Sequence, residues 1–341
     1  MEQELEQPLL TPRQIVERLD SYVVGQERAK RAVAIAAYNH QRRVAHKKRA
    51  GEAPPIRKAN LLLAGPTGCG KTQIARCLAT VLGVPFVVVD ATEYTEAGYY
   101  GKDVESMISE LLARAGHELA RAEEGIVFID EVDKIARRTQ SARTGAGTRD
   151  IGGEGVQQAL LKLLEGRSVY VPLNPGQHWT KHELVKVDTS EILFVCAGTF
   201  SDLLGPGSRR RIDERALLSY GLLAEFVGRL PVLVQLEELG EDELVRILTE
   251  PRDALLREYR ELLAIDGIDL RITEGALRAI VGRAKSKGLG ARALRGTMEE
   301  VLEETLFSAP ERPGIPCTID EAYVASRLVC PTSAPPDTLG H

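Results

Sequence analysis

The octapeptide Gly65-Pro66-Thr67-Gly68-Cys69-Gly70-Lys71-Thr72 constrains this chain more than any other stretch. An apolar run, Leu61–Ala64, precedes it and a helical pattern over residues 73–82 follows, so the local order is strand, glycine loop, helix. This is the GxxxxGK[ST] pattern of the phosphate-binding P-loop. Glycines let the backbone curl tightly enough to aim several N–H groups at one phosphate, and the following helix N-terminus adds partial positive charge. On that basis Pro66, Thr67, Gly68, Cys69 and Gly70 form the cradle. Lys71 bridges the β- and γ-phosphates of a nucleotide, and the Thr72 hydroxyl ligates Mg2+. The octapeptide alone could be a turn that binds nothing; its strand and helix make it a nucleotide site.

A second apolar run, Ile126–Asp130, ends in two carboxylates, Asp130 and Glu131. An acidic pair after a strand is by itself an ordinary solvated turn. In a chain that also carries a P-loop it suits a Mg2+-binding acid, Asp130, followed by a base, Glu131, that polarises the attacking water. Together the two motifs predict a nucleotide hydrolase.

Further strand-sized apolar runs fall at residues 86–89, 192–196 and 231–234, with helical segments in most of the gaps. This alternation predicts a largely parallel α/β sheet. Thr11-Pro12 has the signature of a helix start, and a second helix is expected over residues 26–47. After Gln235 strand content falls, and helical periodicity covers residues 241–265, 274–287 and 291–307. The expected organisation is a helical lead-in (1–57), a large α/β ATPase domain (58–234), a smaller mainly helical domain (235–328) and a disordered tail (329–341).

Of the 341 residues, 43% are hydrophobic and 27% charged, enough apolar material for one large or two modest domains. The net charge is −5, with basic residues spread along the length, so no basic excess argues for nucleic acid as the main partner. No apolar run is long enough to span a bilayer, and residues 1–7 lack the features of a secretion signal. The five cysteines form no CxxC pair and their odd number fits poorly with a disulfide framework. They predict reduced thiols in a cytoplasmic protein.

P-loops serve kinases, GTPases, helicases and many motors, so the flanking residues decide more. Asp20-Ser21-Tyr22-Val23-Val24-Gly25-Gln26, Gly98-Tyr99-Tyr100-Gly101, Gly153-Glu154-Gly155-Val156-Gln157-Gln158, Glu225-Phe226-Val227-Gly228-Arg229-Leu230-Pro231 and Gly290-Ala291-Arg292-Ala293-Leu294-Arg295 occur in that order. Together they resemble the ClpX unfoldases and, more distantly, their HslU relatives, from about Thr11 to about Ser326. The resemblance implies an AAA+ P-loop NTPase fold with a small helical domain. It implies a homo-oligomeric, hexameric ring, Mg2+ and ATP as cofactors, and protein substrates threaded through a central pore. Val23 and Val24, which would otherwise be ordinary core, match adenine-pocket residues. Arg229 matches the arginine finger and Arg292 the sensor-2 arginine; without the family both would be surface charges. Tyr99 and Tyr100 match the pore-loop aromatics that grip substrate, and residues 143–153 match a second pore loop. Alone, the tyrosines would be a turn between strand and helix.

Three departures qualify the resemblance. The chain has no four-cysteine zinc-binding segment, which puts adaptor delivery through such a domain in doubt. Residues 201–219 contain no Ile-Gly-Phe tripeptide, which argues against docking the ClpP peptidase by the usual route. Arg209-Arg210-Arg211 stands there instead, as a solvated loop or a docking patch. The Arg-Lys-His substrate-selecting loop is replaced by Asn174-Pro175-Gly176-Gln177-His178-Trp179-Thr180-Lys181-His182, whose tryptophan either meets a partner or packs on its own hairpin. The expected activity is thus a ClpX-type unfoldase or remodelling chaperone. The alternatives are an AAA+ nucleic-acid motor or an HslU-like regulatory ATPase of a peptidase. Thr199 is the nearest candidate for the sensor-1 position.

Overall fold

The computed structural model describes residues 9–51, 57–95, 102–137, 151–173, 184–203, 211–311, 314 and 316–328. Two compact units emerge: one runs to Glu237 except for Thr67–Cys69, and the other holds Thr67–Cys69 and the chain from Glu238 onward. Each has its own hydrophobic core.

The first unit is built on a five-stranded, wholly parallel sheet. Its strands, numbered in chain order, are β1 (Leu61–Ala64), β2 (Phe86–Asp90), β3 (Ile126–Asp130), β4 (Leu193–Gly198) and β5 (Val232–Gln235). They lie in the order β2-β3-β4-β1-β5. Every residue of β1 and β4 is buried, as expected of strands covered on both faces, and this is why they read as unbroken apolar runs. From β1 the chain crosses to the far edge strand β2, whereas β5 adds on the other side of β1. The strand order therefore reverses at β1, and the crevice beyond its C-terminal end is where such sheets bind ligands.

The helices of this unit are α1 (Pro12–Asp20), α2 (Glu27–Ala50), α3 (Lys71–Leu82), α4 (Ser106–Arg114), α5 (Leu119–Ala122), α6 (Ile151–Leu164), α7 (Glu214–Tyr220) and α8 (Ala224–Gly228). A capping box starts α1: the Thr11 hydroxyl accepts from Gln14 N–H at 3.3 Å, and Gln14 Oε1 accepts from Thr11 N–H at 2.9 Å. Helix α2 runs past the expected residue 47 and ends at Gly51, whose φ of +73° closes it. Its inner face is held by ion pairs, Arg43 to Glu191 at 2.8 Å and Lys47 to Asp188 at 2.6 Å. An antiparallel ribbon of Ser168–Pro172 with Leu184–Asp188 is a feature the apolar runs do not announce. Only alternate residues of Ser168–Pro172 face the core, and Tyr170 is exposed.

The second unit contains α9 (Glu241–Thr249), α10 (Leu255–Ile265), α11 (Glu274–Ser286), α12 (Arg292–Ser308) and α13 (Glu321–Arg327), with a short parallel pair of Leu270–Ile272 and Cys317–Ile319. The helix expected over residues 241–265 is two helices. Glu250 is still helical as the C-cap, but Pro251 offers no N–H to continue the ladder, so α9 stops at Thr249 and the chain restarts after Ala254. Leu248, Ile280, Leu294, Met298, Val301, Leu302 and Ile319 are fully buried at the centre of this unit's core. No helix among the described residues is long and apolar enough to cross a membrane.

Candidate active site

The phosphate loop leaves the C-terminal end of β1, where Gly65 N–H donates to Gly198 O on β4 at 3.2 Å. Gly68 and Gly70 have φ of +73° and +101°. A Cβ on Gly70 would meet no atom within 4 Å, so glycine is needed there for its backbone angle and not for space. Gly70 is the N-cap of α3 and supplies no side-chain cap, which leaves first-turn N–H groups for an anion. Lys71 is the first residue of α3 and is buried; its Nζ donates to Gly65 O at 2.7 Å and Pro66 O at 2.9 Å. The ammonium is thus held over the loop that it serves. Cys69 is buried and Thr72 half-buried.

Asp130 ends β3, and its Oδ1 accepts from Glu131 N–H at 3.0 Å. Glu131 adopts φ +58°, a left-handed conformation that costs a non-glycine residue free energy and turns its side chain away from the strand direction. What holds it there is the next stretch of chain. Val132 N–H donates to Ala197 O at 3.0 Å, and Lys134 N–H to Glu131 O at 2.9 Å. Asp133, buried, accepts from the Thr199 hydroxyl at 2.8 Å and from Phe200 N–H at 3.4 Å. Phe200 is itself left-handed, at φ +48°. A Cβ on Gly198 would lie 2.8 Å from Asp133 Oδ1 and 2.7 Å from the Phe200 ring, so only glycine fits between them.

The sequence gives no reason to single out Asp133, because a carboxylate two residues after an acidic pair looks like more of the same solvated turn. The structure uses it to tie the Glu131 turn to the end of β4, and it occupies the hydroxyl of Thr199, the sensor-1 candidate. Partial withdrawal from water, then the charges of Asp90 and Asp130, raise the Glu131 pKa above the ordinary glutamate value. That shift favours proton uptake and suits a base.

Other sequence-predicted residues are placed as follows. Val23 and Val24 are buried just after α1, where Val23 N–H donates to Leu19 O at 2.8 Å. Buried Lys30 reaches back to Asp20 at 2.5 Å, Glu27 at 2.9 Å and Val23 O at 3.4 Å, which fixes this segment. The Gln26 amide makes a reciprocal pair with the backbone of Glu237, donating to its carbonyl at 2.8 Å and accepting from its N–H at 3.1 Å. Arg229 caps the C-terminus of α8, exposed, with Nη2 on Glu165 Oε1 at 3.0 Å. Arg292 is the exposed first residue of α12 in the second unit. Tyr99 and Tyr100, residues 143–150 of the stretch expected to form a second pore loop, Trp179 with its loop, and Arg209-Arg210 lie outside the described residues.

The oxygen donors present fit Mg2+ carried by a triphosphate: the Thr72 hydroxyl and the Asp130 carboxylate supply two hard ligands, and phosphate oxygens complete such a sphere.

Comparison with known proteins agrees with this geometry. Residues 56–233 match the family model described as AAA domain (Cdc48 subfamily), and residues 239–316 match the C-terminal, D2-small domain of ClpB protein. The ATP-dependent Clp protease ATP-binding subunit ClpX 2 of Wolinella succinogenes is 44% identical over 315 residues, covering 88% of this chain and 78% of the relative. The chain belongs to the ClpX-type AAA+ ATPases. A second relative, the ATP-dependent Clp protease ATP-binding subunit ClpX of Porphyromonas gingivalis, is 42% identical and covers 93% of this chain and 82% of its own length. Membership in the ClpX-type family makes the chain a nucleotide-binding ATPase.

Proposed function

We propose that this chain is a Mg·ATP-driven protein unfoldase that works in the cytoplasm as a hexameric ring and draws polypeptide through its pore. The observation that carries the reading is the site itself. Lys71 and Thr72 open the helix that follows β1, and Asp130 and Glu131 stand at and just beyond the C-terminal end of β3 in the same parallel sheet, in a chain related to Clp ATP-binding subunits at 42–44% identity.

Bound Mg2+ supplies a Lewis acid that neutralises charge on the transferred phosphoryl group. Thr72 and Asp130 would hold it, Asp130 through water. Lys71 leaves the Gly65 and Pro66 carbonyls for the β- and γ-phosphates, while the N–H groups of Thr67, Gly68, Cys69 and Gly70, following Pro66, wrap the anion. Glu131 takes the proton of the attacking water. Arg229 reaches the nucleotide of the neighbouring subunit, and Val23 and Val24 flank adenine. Arg292 carries nucleotide state into the small domain of residues 235–328, which follows the ATPase domain of residues 58–234 in the chain. Tyr99 and Tyr100 grip the substrate through large amphipathic faces that need no particular sequence.

Because residues 201–219 lack an Ile-Gly-Phe anchor, the ring acts without ClpP docked by that route. The test incubates the purified chain with ATP, a tagged stable protein and candidate peptidases. ATP-dependent unfolding, with ATPase activity stimulated by unfolded protein, is the expected result. Salt-sensitive stimulation by DNA with no unfolding would replace the unfoldase with a nucleic-acid motor.

A further inference from the structure

Arg229 stands at the end of α8, a five-residue helix, and two buried side-chain amides hold that helix, one at each end. At its start Gln157, 0% exposed, accepts from Leu223 N–H at 2.8 Å and donates through Nε2 to Ile135 O at 2.7 Å. At its finish Asn60, 1% exposed, donates through Nδ2 to Arg229 O at 3.1 Å and accepts through Oδ1 from Phe194 N–H at 3.3 Å.

Each amide therefore joins α8 to part of the hydrolysis machinery. Ile135 lies on the turn that begins at Glu131. Asn60 leads directly into β1 and so into the phosphate loop, and Phe194 lies on β4, whose end receives Thr199 and Asp133. Close backbone approaches reinforce the first link. A Cβ on Gly153 would lie 2.6 Å from Ile135 O, and one on Gly221 would lie 2.2 Å from Arg137 O. Arg137 N–H in turn donates to Gly221 O at 2.9 Å. Phe226, Val227 and Leu230 are buried, so α8 cannot shift without its mounts, whereas the guanidinium beyond them is exposed and pairs with Glu165.

We infer that Gln157 and Asn60 are positioning residues for Arg229: they fix the arginine relative to the Glu131 turn and the phosphate-loop strand of its own subunit. The inference rests on the proposed ring, in which Arg229 acts on the neighbour's nucleotide. A displacement of about 1 Å at such a group can cost about 100-fold in rate, and a buried amide satisfied at both ends fixes orientation as packing alone does not. The Gly153–Gln158 stretch thereby acquires a role: it carries the state of one subunit's hydrolysis turn to the arginine that serves the next.

The test uses the full chain with Gln157→Met and Asn60→Leu, each of which keeps volume and loses the bonds of its amide without burying a charge. Each variant alone is expected to lose ATPase activity by about 10- to 100-fold, with nucleotide affinity and ring assembly retained. Mixed with Glu131→Gln subunits, each should recover activity above the sum of the two. Its own base is intact, and its neighbour supplies a correctly placed Arg229.

The control pair, Arg229→Ala with Glu131→Gln, should recover in the same way, and Gln157→Met mixed with Arg229→Ala should not. Recovery in the control but in neither amide variant overturns the inference, because the amides then act within their own subunit. No recovery in the control removes the trans-acting arginine, and the inference with it. Should Gln157→Met fail to fold, Asn60→Leu decides by the same mixing.

Discussion

Asp90 lies directly opposite Asp130 in the register of β2 and β3, so two carboxylates share the edge from which Glu131 departs. With partial burial as the largest cause, their charges push the Glu131 pKa up, against the pull of Lys134. A base with a raised pKa is protonated, and idle, at higher pH than an ordinary glutamate, so the acid limb of kcat/KM, which reports the nucleotide-free enzyme, should lie above the usual glutamate range. Asp90→Asn removes a like charge and should move that limb to lower pH, whereas Lys134→Gln should move it up. The measurement is kcat/KM for Mg·ATP against pH. A limb unmoved by both changes would assign the titration to another group.

Removing the proposed base has a different signature. Glu131→Gln keeps the size and the left-handed backbone but cannot take a proton, and the loss expected for a general base is about 100- to 10,000-fold in kcat. ATP affinity should hold, because Lys71, Thr72 and the loop N–H groups are untouched. Equilibrium nucleotide binding beside single-turnover hydrolysis separates the two effects. Hydrolysis at the wild-type rate would remove Glu131 from the mechanism.

The strands around the phosphate loop are legible because parallel strands covered on both faces become apolar runs, and β1 and β3 begin and end where those runs do. The break at Pro251 is hidden because apolar periodicity continues on both sides of it. Asp133 and Asn60 are harder for a physical reason: their partners lie 66 and 169 residues away, and long-range pairing leaves no local period. Gln157 did leave a trace. It heads the stripe Gln157-Leu160-Leu161-Leu164 at helical spacing, and a polar residue on an apolar stripe must find a buried partner.

The Arg43–Glu191 pair predicts a stability effect independent of catalysis. Both side chains are nearly buried, at 8% and 4% exposure, and two hydrogen bonds join them, at 3.1 Å and 2.8 Å. Arg43→Met strands a buried carboxylate and should cost about 3–5 kcal/mol. Arg43→Met with Glu191→Leu should cost much less, because the charge that needed a partner is gone. Denaturant unfolding of the singles and the double measures the coupling; additive losses would show that the pair contributes no more than its separate packing.

His40, on the same helix, makes the fold sensitive to acid. It is buried, its Nε2 lies 3.4 Å from Glu124 O, and its pKa is lowered from 6.5 to about 4. Burial is the main cause; the Glu124 carbonyl opposes it, and the charges of Lys58 and Arg43 add to it. The folded protein therefore keeps this ring neutral while the unfolded chain takes up a proton as pH falls through 6.5. The contribution is complete above that pH and is lost progressively on acidification down to about 4, for a total of about 3 kcal/mol. His40→Leu should flatten that part of the stability profile, whereas carboxylates that titrate in the same range affect both proteins alike. Unfolding free energies measured in steps from pH 7 to pH 4 give the difference directly. Equal slopes in the two proteins would place the acid sensitivity elsewhere.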